Sequence, residues 1–405
     1  MKILEVLTYY RPHMSGLSIY VERLSEALAR QGHDVTILTS QYDPDLSREE
    51  TINGVKIVRV PVLFRISKGV IMPTFGLWAN RLCRQSDVIH LHLPQFDAPG
   101  LALRGKLFRK PVVITYHCDL KMPSGLFNRL VDKVVAFQNN LAGALADAFV
   151  TYTQDYGENS PYLSRYLGSK LQVIPPPVTL AACPPEVAES FQKRHQLEGR
   201  PVIGIAARMA AEKGIEVLLK ALPAVLKKYP NARVLHAGPV EKVLGEETYQ
   251  VRISRMLEQF GDQYKLLGPL EGPEFTAFYK NLDCLVIPSL NSTESFGLVQ
   301  IEAMMNGAPV VASNLPGVRQ PVTMTGMGEV IPVGDHAALA SSIINILDAK
   351  EEYVADLALI GASFSPDQTA SGYTNLFEQL MQGTFEPNLQ PDAYKRLQKM
   401  RDSSG

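Results

Sequence analysis

Leu285-Val-Ile-Pro288-Ser-Leu-Asn-Ser-Thr-Glu294-Ser-Phe296-Gly297-Leu298-Val-Gln-Ile-Glu302-Ala-Met-Met-Asn-Gly307-Ala-Pro309-Val310-Val311-Ala312 carries three structural signals in a row. Leu285 to Pro288 is a short apolar run, Ser289 to Ser295 a polar loop, Leu298 to Asn306 a helical pattern, and Pro309 to Ala312 a second apolar run. That order spells one βαβ unit. Its two glutamates straddle the loop-helix junction, Glu294 in the loop and Glu302 a little over one turn into the helix. Groups at the carboxyl end of a parallel strand line the crevice where open α/β sheets collect ligands.

The junction has a chemical bias. Backbone N–H groups at Phe296 and Gly297 lie where a helix begins and lack intrahelical partners, and the helix dipole adds partial positive charge there. An oxygen-rich ligand suits such a place. Gly297 lets a ligand approach the backbone, and Gly307 fits the left-handed position that ends many helices. A glutamate near a helix start is also favoured by the dipole alone, with no ligand.

The combined pattern Glu294-x-Phe296-Gly297-x4-Glu302-Ala-Met, followed by Gly307-x-Pro309-Val310-Val311, resembles the signature of retaining glycosyltransferases of the GT-B fold, specifically the large family 4. The resemblance implies an α/β protein of two Rossmann-like domains facing each other across a cleft. It also implies roles: Glu294 on hydroxyls of the donor sugar, the backbone at Phe296, Gly297 and Leu298 on sugar and diphosphate, and Glu302 on the nucleotide ribose.

At 405 residues the chain is too long for one ordinary core and suits two domains. Net charge is −1, which argues against a generally basic nucleic-acid binder. Residues 1–180 nevertheless carry 20 basic against 15 acidic residues, and the remainder 20 against 26. A mildly basic front half is compatible with an anionic lipid surface or acceptor, although a solvated face explains it more simply. Cys83, Cys118, Cys183 and Cys284 show no paired spacing, so neither a disulfide framework nor a zinc site is expected. The apolar run Ile3 to Leu7 is too short for a signal peptide or membrane span. A cytoplasmic protein is the expectation.

Ile3 to Leu7 reads as a first strand, Tyr9 to Gly16 as a loop, and Leu17 to Gln31 as a helix, with Val35 to Thr39 the next strand. No Gly-x-Gly-x-x-Gly follows the first strand, so a dinucleotide site is not indicated here. In the resembling family this loop carries a Gly-Gly pair that approaches the donor phosphate; here it is Ser15-Gly16, with serine offering an N–H and a hydroxyl. Val55 to Pro61 is a strand, and Ile71 to Gln85 a helical segment. Asp87 to His92 is a buried strand that ends in His90 and His92 on one face. Two histidines without a third ligand favour packing, and no metal is expected.

Pro111 to Asp119 is an apolar strand whose polar end carries Thr115, His117 and Asp119, where an open sheet collects ligand-contacting groups. The Thr-x-His ending resembles the family's front-domain histidine, which implies that His117 projects toward the donor sugar; Asp119 is a weaker candidate. Leu126 to Ala148 is an amphipathic helix with Arg129, Asp132 and Lys133 on its polar side. Together with Arg104, Lys106, Arg109, Lys110 and Lys121 it is a candidate for peripheral membrane contact, since many relatives use such helices in that way. Ala148 to Thr153 and Leu171 to Ile174 are the last strands of a first domain spanning residues 1–180.

Pro175-Pro176-Pro177 and the following prolines read as a stiff connector. They depart from the family's Pro-Asn-Gly-Val-Asp, and no binding role is carried to them. A second domain over residues 181–374 opens with the strand Pro201 to Ala206. Ala207-Arg208-Met-Ala-Ala-Glu212-Lys213-Gly214 then precedes a helix from Ile215 to Lys228. Between a strand and a helix start, Arg208 supplies a planar fork and Lys213 a point charge for a diphosphate. The stretch resembles the family's Gly-Arg-Leu-x-x-x-Lys-Gly motif, with Ala207 in the glycine's place. Further strands are read at 232–238, 264–269 and 328–333, helices at 275–280 and 337–347, and a turn at 314–321. Tyr373 to Gln382 is a closing helix expected to return to the first domain within residues 375–405, and 386–405 is expected to be partly disordered.

The reaction implied is transfer of a hexose-type sugar from a UDP- or GDP-sugar to a lipid, glycan or small-molecule acceptor, with retention and with no cofactor or metal. Arg208, Lys213 and helix-start amides at Gly16 and Gly297 would stabilise the departing diphosphate. Three rivals stand beside it: a nucleotide-sugar epimerase of the same architecture, a Rossmann oxidoreductase, and a non-catalytic nucleotide-sugar-binding protein.

Overall fold

The structure, a computed structural model, describes residues 1–66, 69–120, 126–241 and 246–404, with the side chains of 66, 126–132 and 404 excepted. Lys121 therefore lies outside the described residues, and the Arg129 and Asp132 side chains are likewise outside. The chain divides into two compact units, residues 1–177 with 364–391 and residues 178–363 with 392–405.

The first unit begins β1 (Lys2–Val6), α1 (Gly16–Arg30), β2 (Asp34–Gln41), β3 (Glu49–Ile52), β4 (Val55–Pro61), β5 (Phe64–Ile66), β6 (Gly69–Ile71) and α2 (Phe75–Gln85). It continues β7 (Val88–Leu93), α3 (Ala98–Phe108), β8 (Val112–Tyr116), α4 (Leu126–Leu145), β9 (Ala148–Thr151), α5 (Gln154–Asn159) and β10 (Leu171–Val173). Its main sheet has the order β10-β9-β8-β7-β1-β2-β4-β3, parallel except for the β3–β4 pair. Parallel strands covered on both faces are largely apolar, and every residue of β7 and β8 is buried, His90, His92 and Thr115 included. The chain leaves β1 toward β2 and later returns to β7 on the other side. The switch point of this unit thus lies between β1 and β7.

The second unit runs α6 (Pro185–His195), β11 (Val202–Ala206), α7 (Ile215–Lys228), β12 (Arg233–Ala237), α8 (Glu247–Leu257), β13 (Tyr264–Gly268) and α9 (Gly272–Lys280). There follow β14 (Cys284–Ile287), α10 (Leu298–Met304), β15 (Val310–Ser313), α11 (Gln320–Thr325), β16 (Gly328–Ile331), α12 (His336–Asp348) and α13 (Leu357–Ser363). Its sheet is parallel throughout, in the order β13-β12-β11-β14-β15-β16. Here the order reverses between β11 and β14. Both basic and glutamate-bearing loops of the sequence motifs therefore leave the two strands that flank the switch point.

Two final helices correct the expected domain ranges. α14 (Pro366–Gln382) belongs to the first unit and starts seven residues before Tyr373. Ser365 caps it through the Gln368 N–H, Pro366 opens it, and Thr369, Ala370, Tyr373, Leu376 and Phe377 bury its inner face. α15 (Asp392–Ser404) is a helix rather than a disordered tail, and it packs against α11 and α13 of the second unit. Ala393, Tyr394 and Leu397 are buried there, so three apolar residues at helical spacing outweigh a polar composition. The first boundary falls between Pro177 and Val178 rather than at 180. Other differences are local: Ile71 ends β6 and the helix starts only at Phe75, and residues 98–108, 185–195, 247–257 and 320–325 are helices not read from the sequence.

Candidate functional site

In the second unit the loops after β11 and β14 are stitched together. Lys213 Nζ donates to Glu294 Oε2 at 2.5 Å, and Leu290 N–H donates to the Glu212 carbonyl at 2.9 Å. Gly214, at φ 66°, packs so closely that a Cβ there would meet the Pro288 carbonyl oxygen at 2.0 Å. Only glycine fits both the left-handed backbone and that approach. The two motifs, 81 residues apart in sequence, thus share one place at the carboxyl ends of the switch-point strands.

Arg208 lies at the other end of its loop, paired with Glu212. The carbonyl of Ala207 accepts from His236 Nε2 at 2.8 Å, and the Tyr264 hydroxyl lies 3.0 Å from His236 Nδ1. Burial pushes His236 down to about 4, against the hydrogen bond to Ala207. A neutral ring then donates at one nitrogen and accepts at the other, and it anchors the residue that stands where the motif has glycine.

Glu302 is buried on α10 and accepts a 2.8 Å hydrogen bond from the Tyr279 hydroxyl on α9. The described contacts bring Lys213 and Glu294 together, whereas Arg208 and Glu302 have partners of their own. Gly297 precedes α10 at φ 77°, and a Cβ would press on Gln300 and Ile287 at 3.0 and 3.2 Å. Gln300 holds this turn by donating to the carbonyls of Phe296 and Val318. Phe296 is buried, and Leu298 begins the helix. A separate hollow at the amino ends of β11 and β14, lined by Arg200, Lys280, Asp283 and Lys350, contains none of the motif residues.

In the first unit Ser15 caps α1, with its hydroxyl accepting from Ser18 N–H at 3.1 Å and its own N–H donating to Ser18 Oγ at 2.8 Å. Both groups expected to be on offer to a ligand are spent on the capping box. With φ −150°, position 15 has no need of glycine, which accounts for the departure from Gly-Gly. A Cβ on Gly16 would meet nothing within 4 Å, so space is open beside its backbone.

Behind the carboxyl ends of β1, β7, β8 and β9 lies a buried polar layer. Glu5 Oε2 is 2.7 Å from His92 Nε2 and 2.8 Å from His90 Nδ1. His92 Nδ1 is 3.0 Å from His117 Nε2, and His117 Nδ1 meets the Tyr152 hydroxyl. His90 Nε2 is 2.7 Å from Thr115 Oγ1, which is 2.5 Å from the Tyr373 hydroxyl of α14; Tyr373 in turn is 2.8 Å from the Tyr20 hydroxyl of α1. Burial opposes the Glu5 charge, but His90 and His92 outweigh it and hold the carboxyl well below the ordinary range. Desolvation pushes His92 down to about 4 and holds His117 well below its ordinary range. Glu5 is the third group missing from the sequence argument about a metal: Glu5, His90 and His92 each offer one ligand atom within 4.8 Å of the others. Asp119 is turned to structural use, accepting from the Tyr116, Tyr156 and Ser160 hydroxyls.

Two family models match successive parts of the chain: one described as Glycosyltransferase Family 4 over residues 14–182, the other as Glycosyl transferases group 1 over residues 187–357. The chain belongs to glycosyltransferase family 4. Family-4 relatives include an uncharacterized glycosyltransferase of Methanocaldococcus jannaschii, 28% identical over 79% of this chain and 82% of that protein. The phosphatidyl-myo-inositol mannosyltransferase of Mycobacterium leprae is 26% identical over 84% of this chain and 86% of that protein. Among solved structures, Anabaena HepE in complex with UDP superposes with a TM-score of 0.71 at 18% identity, covering 94% of this chain and all of that one. The fold of this family-4 glycosyltransferase is GT-B, with two Rossmann-like domains.

The family-4 motif residues were legible because spacing and residue type stand in the sequence. The polar layer was missed as a unit, although its signals were present: a charged Glu5 inside Ile3-Leu4-Glu5-Val6-Leu7, and His90, His92, Thr115 and His117 at alternate positions. Tyr20, Tyr152 and Tyr373 had no local signal.

Proposed function

We propose that this family-4 glycosyltransferase is a retaining, metal-independent enzyme that moves a hexose-type sugar from a UDP- or GDP-sugar to a lipid, glycan or small-molecule acceptor held mainly by the first unit. The observation that carries the reading is the Lys213–Glu294 pair, which sets a cation for the diphosphate beside a carboxylate for the sugar at the switch point of the second unit. In the reaction the anomeric C–O bond to the diphosphate breaks and a bond to the acceptor oxygen forms on the same face. The acceptor's proton passes to the departing phosphate oxygen. Lys213 and Arg208 then stabilise charge that grows as the bond breaks. Glu294 orients sugar hydroxyls rather than attacking, and Glu302 binds the ribose. Gly16, at the start of α1, has open space beside its backbone, which suits a phosphate oxygen. The UDP complex of the structurally similar HepE supports a nucleotide sugar as donor.

A lipid acceptor is supported by the surface of the first unit. Leu103 and Leu107 on α3 and Val134, Phe137 and Leu141 on α4 are exposed, the two helices pack together, Lys133 lies on α4, and Arg109 and Lys110 directly follow α3. Apolar side chains rimmed by cations suit the interface of an anionic membrane. Among the described residues no helix is long and apolar enough to cross one. In this reading the enzyme is cytoplasmic and docks peripherally at the membrane. The deciding experiment is a thermal-shift screen of UDP-, GDP- and ADP-sugars followed by NMR of the products with and without lipid acceptor. Stabilisation by one donor and an α-linked product from an α-linked donor are expected. Inversion at the anomeric carbon, or epimerised donor without transfer, would reject the reading.

A further inference from the structure

The backbone of the basic loop after β11 is pinned on both sides of its arginine. His236 takes the Ala207 carbonyl, and Met209 N–H donates to the Pro239 carbonyl at 2.8 Å. Gly238 packs so closely that a Cβ there would meet the Ala207 carbonyl oxygen at 2.3 Å and the Arg208 nitrogen at 3.2 Å. Further along, Ala211 N–H donates to Glu246 Oε2 at 3.0 Å, and the Glu212 carbonyl accepts from Leu290 N–H at 2.9 Å. Arg208 and Glu212 therefore pair across a fixed frame, and their side chains differ in freedom. Glu212 has 14% of its side chain exposed, whereas Arg208 has 40%. The long arginine stem can carry its guanidinium to another anion with no movement of the loop. The shorter, more enclosed carboxylate stays behind.

Both cations that the transfer reading assigns to the diphosphate rest on carboxylates, Arg208 on Glu212 and Lys213 on Glu294. Glu294 has a sugar to bind, but Glu212 has no such task. Once Arg208 turns to a diphosphate, Glu212 is a mostly enclosed carboxylate without its ion-pair partner, on the same loop as a second anion. Both effects oppose binding.

We propose that Glu212 is the resting counter-ion of Arg208: it competes with the diphosphate for that guanidinium, lowers affinity for donor and nucleoside-diphosphate product, and gives Arg208 a partner to return to as the product leaves. Glu212 is a positioning residue, since it acts through Arg208 and not on the sugar. The inference rests on the reading of Arg208 as a diphosphate ligand.

The test is calorimetric titration of the full chain with UDP, GDP and inorganic pyrophosphate, in the wild type, Glu212→Gln, Arg208→Met and the double variant. Glu212→Gln keeps the shape and a hydrogen-bond acceptor and loses the charge. It should bind the preferred probe about threefold to tenfold more tightly than the wild type. In transfer assays it should lower donor KM and kcat together, because a product held more tightly leaves more slowly. A damaged fold weakens binding, so a gain in affinity is no structural side effect. In the Arg208→Met background the same substitution should change affinity by less than about twofold, since the partner it acts through is gone. Unchanged or weaker binding in Glu212→Gln overturns the proposal, and so does a full gain without Arg208, which would be an effect of net charge. Should Glu212→Gln not fold, Glu212→Asp, too short to hold Arg208 in the same way, carries the same expectation. A wild type that binds none of the three probes fails the diphosphate reading and this proposal with it; a wild type that binds, with affinity unmoved in Glu212→Gln, fails the proposal alone.

Discussion

Lys213 Nζ lies 2.5 Å from Glu294 Oε2, which joins a loop that leaves β11 to a loop that leaves β14. Neither side chain is deeply buried, with 24% and 18% of each exposed, so a ligand can reach both. The pair predicts kinetics more than stability. Lys213→Ala and Glu294→Ala should each reduce transfer roughly a hundredfold to a thousandfold, as loss of an oriented charge at a developing oxyanion or its substrate does. Partly exposed ion pairs contribute little to folding, so melting temperatures should move only slightly. The double variant should cost much less than the product of the two single effects, since the residues act as a unit. Full activity in either single variant would remove that residue from the mechanism.

Glu302 is expected to act on binding. Glu302→Gln keeps the shape and can still accept from Tyr279, yet it loses charge and one acceptor toward a ribose diol. Donor KM should rise about tenfold with kcat little changed, the mark of an interaction made equally in ground and transition states. Tyr279→Phe separates the roles, because it leaves the carboxylate but frees its orientation. A fall in kcat with unchanged KM in Glu302→Gln would contradict ribose binding.

Gly214 is a stability prediction. Gly214→Ala puts a Cβ 2.0 Å from the Pro288 carbonyl oxygen while also holding a left-handed backbone. The backbone term by itself costs about 1–2 kcal/mol, and relief of the clash must spread the two motif loops. Urea unfolding should show a lower midpoint, and nucleotide-sugar affinity should fall with it. Unchanged affinity would mean that the loop junction does not shape the donor site.

His236 makes the second unit acid-sensitive. Its ordinary value of 6.5 is pushed down to about 4 in the fold by burial. Between those values the unfolded chain binds the proton and the folded chain does not, so stability rises with pH across this window. It is fully present above about 6.5 and is lost as pH falls toward 4, by roughly 3 kcal/mol if the whole shift is realised. Denaturant midpoints measured from pH 7 to pH 4 should fall, and His236→Gln should flatten the slope. An identical slope in the variant would assign the acid sensitivity elsewhere.

The exposed apolar residues on α3 and α4 predict vesicle binding. Leu107→Glu with Phe137→Glu should abolish sedimentation with vesicles containing anionic lipid while leaving the melting temperature within a degree or two, because both side chains are already about two-thirds exposed. Binding should weaken with salt, as expected for a surface that also uses Arg109, Lys110 and Lys133. Indifference of the double variant would exclude this face.

Local chemistry decided a good deal of this protein. Continuous apolar runs such as Val112 to Tyr116 announced buried parallel strands, and the helix from Ile215 to Lys228 was readable to the residue, because a strand's burial and a helix's apolar stripe are properties of short stretches. α15 was hidden for the opposite reason. Three buried residues in a polar helix signal little until α11 and α13 are there to receive them.

The sequence by itself determined where the family-4 motifs of the second unit stand, since Arg208, Lys213, Glu294 and Glu302 occur at spacings that report on neighbours within a loop or a turn. Tertiary structure alone decided who meets whom. The strand order placed Lys213 against Glu294, and it also gathered Glu5 of β1, His92 of β7, and His117 and Tyr152 just past β8 and β9 into one hydrogen-bonded layer. Hydrogen bonds reach about 3 Å in space whatever the separation along the chain, and no pattern in a linear text encodes which strands become adjacent.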